Sequence, residues 1–383
     1  MANMMDYIDW RGDIPFSSVG LNEVDNLILS AISYIDFENI VSPSFGEGIS
    51  LRAAARQYLL RHRGEKAYLG AIVPPKIVAL MAKASKSVRF GQIKMCGYIN
   101  HINDKTETQF SAVTYLLDDK HAFVAYRGTD DTIVGWKENF NMSFMHPVPA
   151  QTEAMHYLEE LASERDESIY VGGHSKGGNL AVYALAKCSH YTNERVKLAF
   201  NNDGPGFSRE FMDSLEYEVT REKIRTILPQ SSVVGMLLEH EEKYEVIKSS
   251  QSGLLQHDPL SWEVLGSGFI HLDTIAEDSK FIDQAIKEWL SGMSADEREM
   301  FVEKLFESLA ATNAKTLTDL NTDRKKILQA WNGLDAETRN TVFKYVKLLF
   351  KEKTKNIIPQ KKAPEVKTVL AKKKVILKKP IQK

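Results

Sequence analysis

Two cysteines, Cys96 and Cys188, are too few in 383 residues for a disulfide framework. Both read as small core hydrophobes, Cys96 in a strand-like run and Cys188 in a helix. No apolar run reaches the roughly 18 residues needed to cross a bilayer. Met1 to Asp13 carries Asp6, Asp9, Arg11 and Asp13 and lacks the apolar stretch of a secretory signal. Cytoplasmic residence is the expectation that follows. Gly-rich P-loop patterns, dinucleotide-binding patterns and Cys/His zinc-ligand spacings are also missing, so no cofactor and no metal is implied. There is no tandem repeat.

What is present supports a sizeable core: 43% of the residues are apolar and 9% aromatic. The length suits one large α/β domain with an accessory piece. A net charge of −2 hides an uneven distribution, because Lys351 to Lys383 holds twelve lysines against two glutamates. The body is therefore acidic and the end of the chain basic.

In chain order, Asn22, Glu23 and Asp25 form a polar start to an amphipathic helix through Leu27, Ile28, Leu29 and Ile32. Leu51 to Arg63 reads as a second helix with a basic face, and Pro74-Pro75 opens a third. From Val88 the period changes to two, with strands at Gln92–Ile99, Phe110–Leu117 and Ala122–Tyr126 joined by turns. Gln151 to Arg165 is helical, Ser168 to Val171 is a buried strand, and a helix follows from Leu180 to Lys187. Further strands are expected at Val196–Asn201, Ile224–Leu228 and Tyr244–Lys248. This βαβα series predicts a parallel sheet covered on both faces. From Phe281 onward the pattern is helical. Ser294 and Glu297 make a capping box before Phe301, Val302, Leu305 and Phe306, and Leu334-Asp335 precedes a helix carrying Val342, Phe343, Val346, Leu349 and Phe350.

The chemistry centres on Gly173-His174-Ser175-Lys176-Gly177, a G-x-S-x-G sequence between a strand and a helix. A turn that sharp leaves no room for a Cβ on either flank, and the helix start sets N–H groups beside the serine oxygen. A serine needs a histidine base and a carboxylate to orient that base. Among ten histidines His257 fits the chain order best, following the last strand and preceding the turn Asp258-Pro259. Its competitors, His240 and His271, sit in helix-like contexts, while His174 reads as a packing residue. Asp203 follows the strand after the elbow helix; it either orients the histidine or closes an Asx-turn for Gly204 and Gly206. Two backbone N–H groups could form an oxyanion hole, that of Lys176 and that of Thr129 at the end of Arg127-Gly128-Thr129. The Lys176 side chain either attracts an anionic substrate or is a solvated residue at the helix start.

Tyr126 to Thr129, Trp136 and Gly173 to Gly178 resemble the class-three (fungal-type) lipases. Asn201 to Gly206 and Gln256 to Pro259 extend the likeness to the bacterial Mbeg-like family of unknown function, a relative of those lipases, over roughly residues 5 to 265. The resemblance implies the α/β-hydrolase fold, Ser175 as nucleophile and Thr129 as an oxyanion donor. Class-three lipases carry their acid after the strand matching Ile224–Leu228, where this chain has Ser231-Ser232, so that acid does not transfer.

The fold expected is an α/β-hydrolase-type, mostly parallel sheet with helices on both faces and a helical C-terminal addition. Its divisions are 1–87 (helical, packed on the hydrolase), 88–262 (hydrolase core), 263–352 (helical) and 353–383 (Lys-rich, expected disordered). The function expected is hydrolysis of a lipid or small acyl ester through an acyl-enzyme on Ser175, with His257 and Asp203. The alternative is a lipase-like binding or regulatory protein with an incomplete triad. The basic tail suits an anionic membrane surface, with no specific nucleic acid partner. The sequence does not set the oligomeric state.

Overall fold

The computed structural model describes residues 1–65, 74–276, 292–316, 318–319 and 324–343. The tail from 353, the start of the C-terminal helical pattern at Phe281, and Val346, Leu349 and Phe350 lie outside the described residues. Helices α1 (Met4–Arg11) and α2 (Glu23–Ile32) come first, then β1 (Ile49–Ser50), α3 (Leu51–Arg61) and α4 (Lys76–Ala84). Strands β2 (Lys94–Asn103), β3 (Thr108–Leu116) and β4 (His121–Tyr126) follow, then α5 (Ile133–Asn141), α6 (Pro149–Glu164), β5 (Ser168–His174) and α7 (Lys176–Lys187). The chain continues through β6 (Val196–Asn202), α8 (Leu215–Thr220), β7 (Ile224–Pro229) and β8 (Tyr244–Ile247). The short strands β9 (Val264–Leu265), β10 (Gly268–Phe269) and β11 (His271–Leu272) precede α9 (Ala295–Ala310) and α10 (Arg324–Gly333).

One sheet of nine strands runs in the order β1-β2-β3-β4-β5-β6-β7-β8-β11. From β4 to β8 every pairing is parallel, and the antiparallel pairings lie toward the two edges. This is a mixed α/β fold in which a large, mostly parallel central sheet is surrounded by helices, as the strand and helix pattern predicts. Strand alternation fills both faces: Val113, Tyr115, Phe123 and Ala125 pack with α1, α2 and α4, while Phe110, Ala112, Val124 and Tyr126 pack with α6 and α7. No helix among the described residues is long and apolar enough to cross a membrane.

Local chemistry sets the helix starts. Asn22 caps α2 by accepting from Val24 and Asp25, and the Asp25 carboxylate accepts in return from the Asn22 N–H. Asp25 is fully buried and also meets the Arg89 guanidinium at 2.5 Å and the Tyr7 hydroxyl at 2.9 Å. Arg89 spends its remaining donors on the carbonyls of Ile14, Val19 and Gly20, which ties the loop between α1 and α2 to the helical turn Val88–Gly91. Ser294 and Glu297 form the expected box at the start of α9. That helix lays Val302 and Phe306 against Ile133, Trp136 and Phe140 of α5.

Three expectations are corrected. Val88–Gly91 is a helical turn capped by Ser87, and pairing begins only at Lys94, so the period of two starts later than Val88. His271 lies on edge strand β11 rather than in a helix, because it pairs with Ile247. His240 lies in a loop, where Glu242 accepts from its Nδ1 at 2.9 Å. Burial would raise the Glu242 carboxyl, but His240, Thr226 and Tyr217 outweigh it and hold it at about 2.

Candidate active site

Ser175 stands where β5 ends and α7 begins, between β4 on one side and β6 on the other. Its backbone has φ +59° and ψ −133°, a conformation that L-residues adopt at a cost of about 1–3 kcal/mol. The flanking glycines are required by contact. A Cβ on Gly177 would lie 2.1 Å from the Tyr126 carbonyl oxygen, and one on Gly173 would lie 2.2 Å from the backbone of Gly177. Neighbouring residues 171–174 and 176–180 are buried, while Ser175 itself is only half-buried. The N–H groups of Lys176 and Gly177, the first two of α7, have no acceptor within the helix, whereas that of Gly178 donates to the Ser175 carbonyl at 2.9 Å.

Asp203 follows directly on β6 and is completely buried, with φ +53° and its N–H bonded to the Ile227 carbonyl at 2.9 Å. Its two carboxylate oxygens have different partners. Oδ1 accepts from the Ser232 hydroxyl at 2.5 Å and the Gly235 N–H at 3.2 Å. Oδ2 lies 2.7 Å from His257 Nδ1, which turns Nε2 of that ring away from the carboxylate. Ser232, from the turn after β7, thus holds in place a carboxylate that comes from the end of the preceding strand, β6.

His257 ends the 3₁₀ turn Gly253–His257, and its side chain is 18% exposed. The loop is fixed at successive carbonyls: Trp262 Nε1 donates to Gln256 O at 2.9 Å, and His174 Nε2 lies 2.8 Å from His257 O. The Gln256 side chain accepts from the Ser231 N–H. Asp258 is occupied elsewhere, accepting from the Leu260 N–H as cap of the turn Pro259–Ser261. Burial raises its carboxyl above the ordinary value.

The β4 end, Arg127-Gly128-Thr129, leaves the sheet beside the elbow, since Tyr126 is in register with Gly173. A Cβ on Gly128 would meet the Tyr34 hydroxyl at 2.1 Å and the His174 carbonyl oxygen at 2.5 Å. Thr129 is buried, and its hydroxyl pairs with the Asn139 side chain of α5. The Lys176 side chain departs from both expectations, for it is neither solvated nor open to substrate. It is 1% exposed and pairs with Glu138 of α5 at 2.8 Å. Its ammonium also donates to Gln109 O at 2.7 Å, while Glu138 accepts from the N–H groups of Gln109 and Ala150. The lysine thus joins the start of α7 to β3, α5 and α6.

Sequence reasoning missed the contacts of His174, the Ser232–Gly235 cradle and Glu138. All three depend on pairings between residues far apart in the chain, which periodicity does not register. Among the described residues one grouping has metal-like spacing, Glu23, Glu245 and His271 at the β8–β11 edge. Each ring nitrogen of His271 already faces one carboxylate, both at 3.2 Å.

Comparison with known proteins places these residues in context. No curated protein matches the chain. A solved fungal lipase–inhibitor complex, from a study of interfacial activation in lipases, aligns with 13% identity over 59% of this chain and 78% of its own, at a TM-score of 0.35. A family model described as Mbeg1-like matches residues 84–307, which include Thr129, Ser175, Asp203, Ser232 and His257. With more than half its length inside that match, the chain belongs to the Mbeg1-like family.

Proposed function

We propose that the protein is a serine ester hydrolase acting on a lipid or small acyl ester. The observation that carries this reading is the buried Asp203 carboxylate, 2.7 Å from His257 Nδ1, on a strand end whose preceding residue, Asn202, accepts at its carbonyl from the N–H of Ser175, itself held at positive φ. In the proposed cycle His257 Nε2 accepts the Ser175 hydroxyl proton as Oγ attacks the ester carbonyl carbon. Asp203 keeps the proton on Nδ1 and stabilises the imidazolium that forms. The backbone N–H groups of Lys176 and Thr129 stabilise the tetrahedral oxyanion. The imidazolium then protonates the departing alcohol, leaving an acyl-Ser175 ester. Water, deprotonated by His257, attacks that ester, releases the acid and restores the serine.

The buried Lys176–Glu138 pair removes the lysine from substrate recognition, so selection for an anionic head group is not part of the proposal. The alternative of a binding protein with an incomplete triad rested on the missing acid at Ser231-Ser232. The hydrogen bond from Ser232 to Asp203 favours an acid from the preceding strand end instead. Turnover of p-nitrophenyl esters of graded chain length by wild type and Ser175→Ala tests the reading. Loss of turnover in the variant supports it, and equal turnover refutes it.

A further inference from the structure

We propose that His174 is a positioning residue, which with Tyr34 fixes the backbone of His257 and so the plane of the catalytic imidazole; this rests on the hydrolase reading above. His174 Nε2 lies 2.8 Å from the His257 carbonyl oxygen. A carbonyl can only accept, so the ring proton sits on Nε2. Burial and the neighbouring His257 hold the His174 imidazole well below the ordinary histidine range, so the ring is neutral near pH 7. Its Nδ1 is then an acceptor, and the Tyr34 hydroxyl, 3.1 Å from it and 3.4 Å from the His174 carbonyl oxygen, gives its one proton to the nearer of the two. The chain of hydrogen bonds has one direction, from Tyr34 through His174 to His257.

Ring contacts reinforce this. The His174 and His257 centroids are 4.5 Å apart at 35°, and Trp262 meets His174 edge-on at 6.2 Å. Trp262 also holds the adjacent Gln256 carbonyl, so two consecutive carbonyls of this loop are held by hydrogen bonds. With that backbone fixed, the bond to Asp203 leaves the imidazole one orientation. Neutrality of His174 matters as well, because a cation at 4.5 Å would oppose the charge His257 acquires when it takes the serine proton. The titratable groups that meet His174 itself are Tyr34 and His257; one step further out, Arg127 and Asp130 act on Tyr34 and Asp203 pairs with His257.

The test uses full-length His174→Phe, His174→Gln and Tyr34→Phe, with two readouts. One is kcat and KM on p-nitrophenyl acetate. The other is the downfield Nδ1 proton resonance of His257 in ¹⁵N-histidine-labelled protein, assigned by its change in Asp203→Asn. A displacement near 1 Å costs about 10²-fold in rate, so His174→Phe is expected to lower kcat by about that factor with KM little changed. It should also broaden or shift the resonance. His174→Gln, whose amide N–H can reach the same carbonyl, should stay near wild type in both readouts. Tyr34→Phe, one oxygen smaller, should move both in the same direction as His174→Phe by less, and it serves if His174→Phe fails to fold. An unchanged resonance in folded His174→Phe, or in Tyr34→Phe in its stead, overturns the inference. A wild-type protein without ester turnover refutes the hydrolase reading alone, and the resonance then still decides whether His174 positions His257.

Discussion

Replacing Asp203 by asparagine removes one charge while keeping the side chain's shape, and the surrounding donors determine what happens next. Ser232 and Gly235 both donate to Oδ1. An amide placed there must turn its oxygen toward those two donors, so its NH₂ group takes the place of Oδ2 and points at His257 Nδ1. That nitrogen must then accept, and the ring proton moves to Nε2, the atom that has to take the serine proton. The wrong tautomer is thus enforced by the pocket and is more than a consequence of the lost charge. In the best-studied triad the same change costs about 10⁴-fold in kcat. That factor corresponds to about 5.4 kcal/mol at about 1.36 kcal/mol per tenfold. The assay is steady-state ester turnover, with KM expected to change little and the thermal midpoint recorded alongside. Asp258→Asn is the control and should keep near-normal kcat, because Asp258 caps a turn instead of facing the ring. An Asp203→Asn variant within tenfold of wild type in kcat would refute the reasoning.

Further predictions concern the frame around the site. Lys176→Met strands the buried Glu138 carboxylate and should cost about 3–5 kcal/mol in chemical denaturation, with the Lys176→Met/Glu138→Gln double variant, which removes the stranded charge and keeps an acceptor for the buried N–H groups, recovering part of it. A double variant no more stable than the single would show that the pair is not the source of the loss. Gly177→Ala places a Cβ 2.1 Å from the Tyr126 carbonyl and should abolish turnover or folding, whereas Gly20→Ala, with nothing within 4 Å, should do neither. The depressed His174 contributes stability that is present above the unfolded histidine value of about 6.5 and is lost as pH falls below it, because the unfolded chain then takes up a proton that the folded one resists. Denaturation from pH 7.5 to 5 should therefore show a shallower decline in His174→Gln than in wild type. Truncation after Phe350 should leave turnover of a soluble ester intact and weaken binding to anionic vesicles at low salt, each lysine contributing about 1 kcal/mol near such a surface. Equal vesicle binding by both forms would remove the tail from the account.

The fold was legible wherever local pattern determines structure. The period of two in Phe110–Leu117 and Ala122–Tyr126 marks strands, which the structure buries on both faces, and the Asn22/Asp25 and Ser294/Glu297 caps mark where helices begin. The elbow could be read because its glycines answer to a backbone constraint that few other sequences satisfy. Asp203 as the partner of His257 followed from chain order, since the next strand end offers serine instead of a carboxylate. The fate of Lys176 was not legible. Its partner Glu138 lies on a different helix, and nothing in either neighbourhood signals that their charges meet in the interior. His174 reads as packing because its hydrogen bonds go to Tyr34 and to a backbone carbonyl, which leave no trace in residue patterns. The edge strand at His271 is two residues long, too short for a period of two to declare itself.

The central claim is that Ser175 is an activated nucleophile served by His257 and Asp203. A fluorophosphonate probe tests it most directly, because it reacts with an activated serine without requiring the natural substrate. Wild-type protein should be labelled, with the adduct mapping by peptide mass spectrometry to Ser175, and labelling should vanish in Ser175→Ala and fall sharply in Asp203→Asn. Labelling that persists in Ser175→Ala at Ser231 or Ser232, or a folded wild-type protein that takes up no probe, would contradict the account.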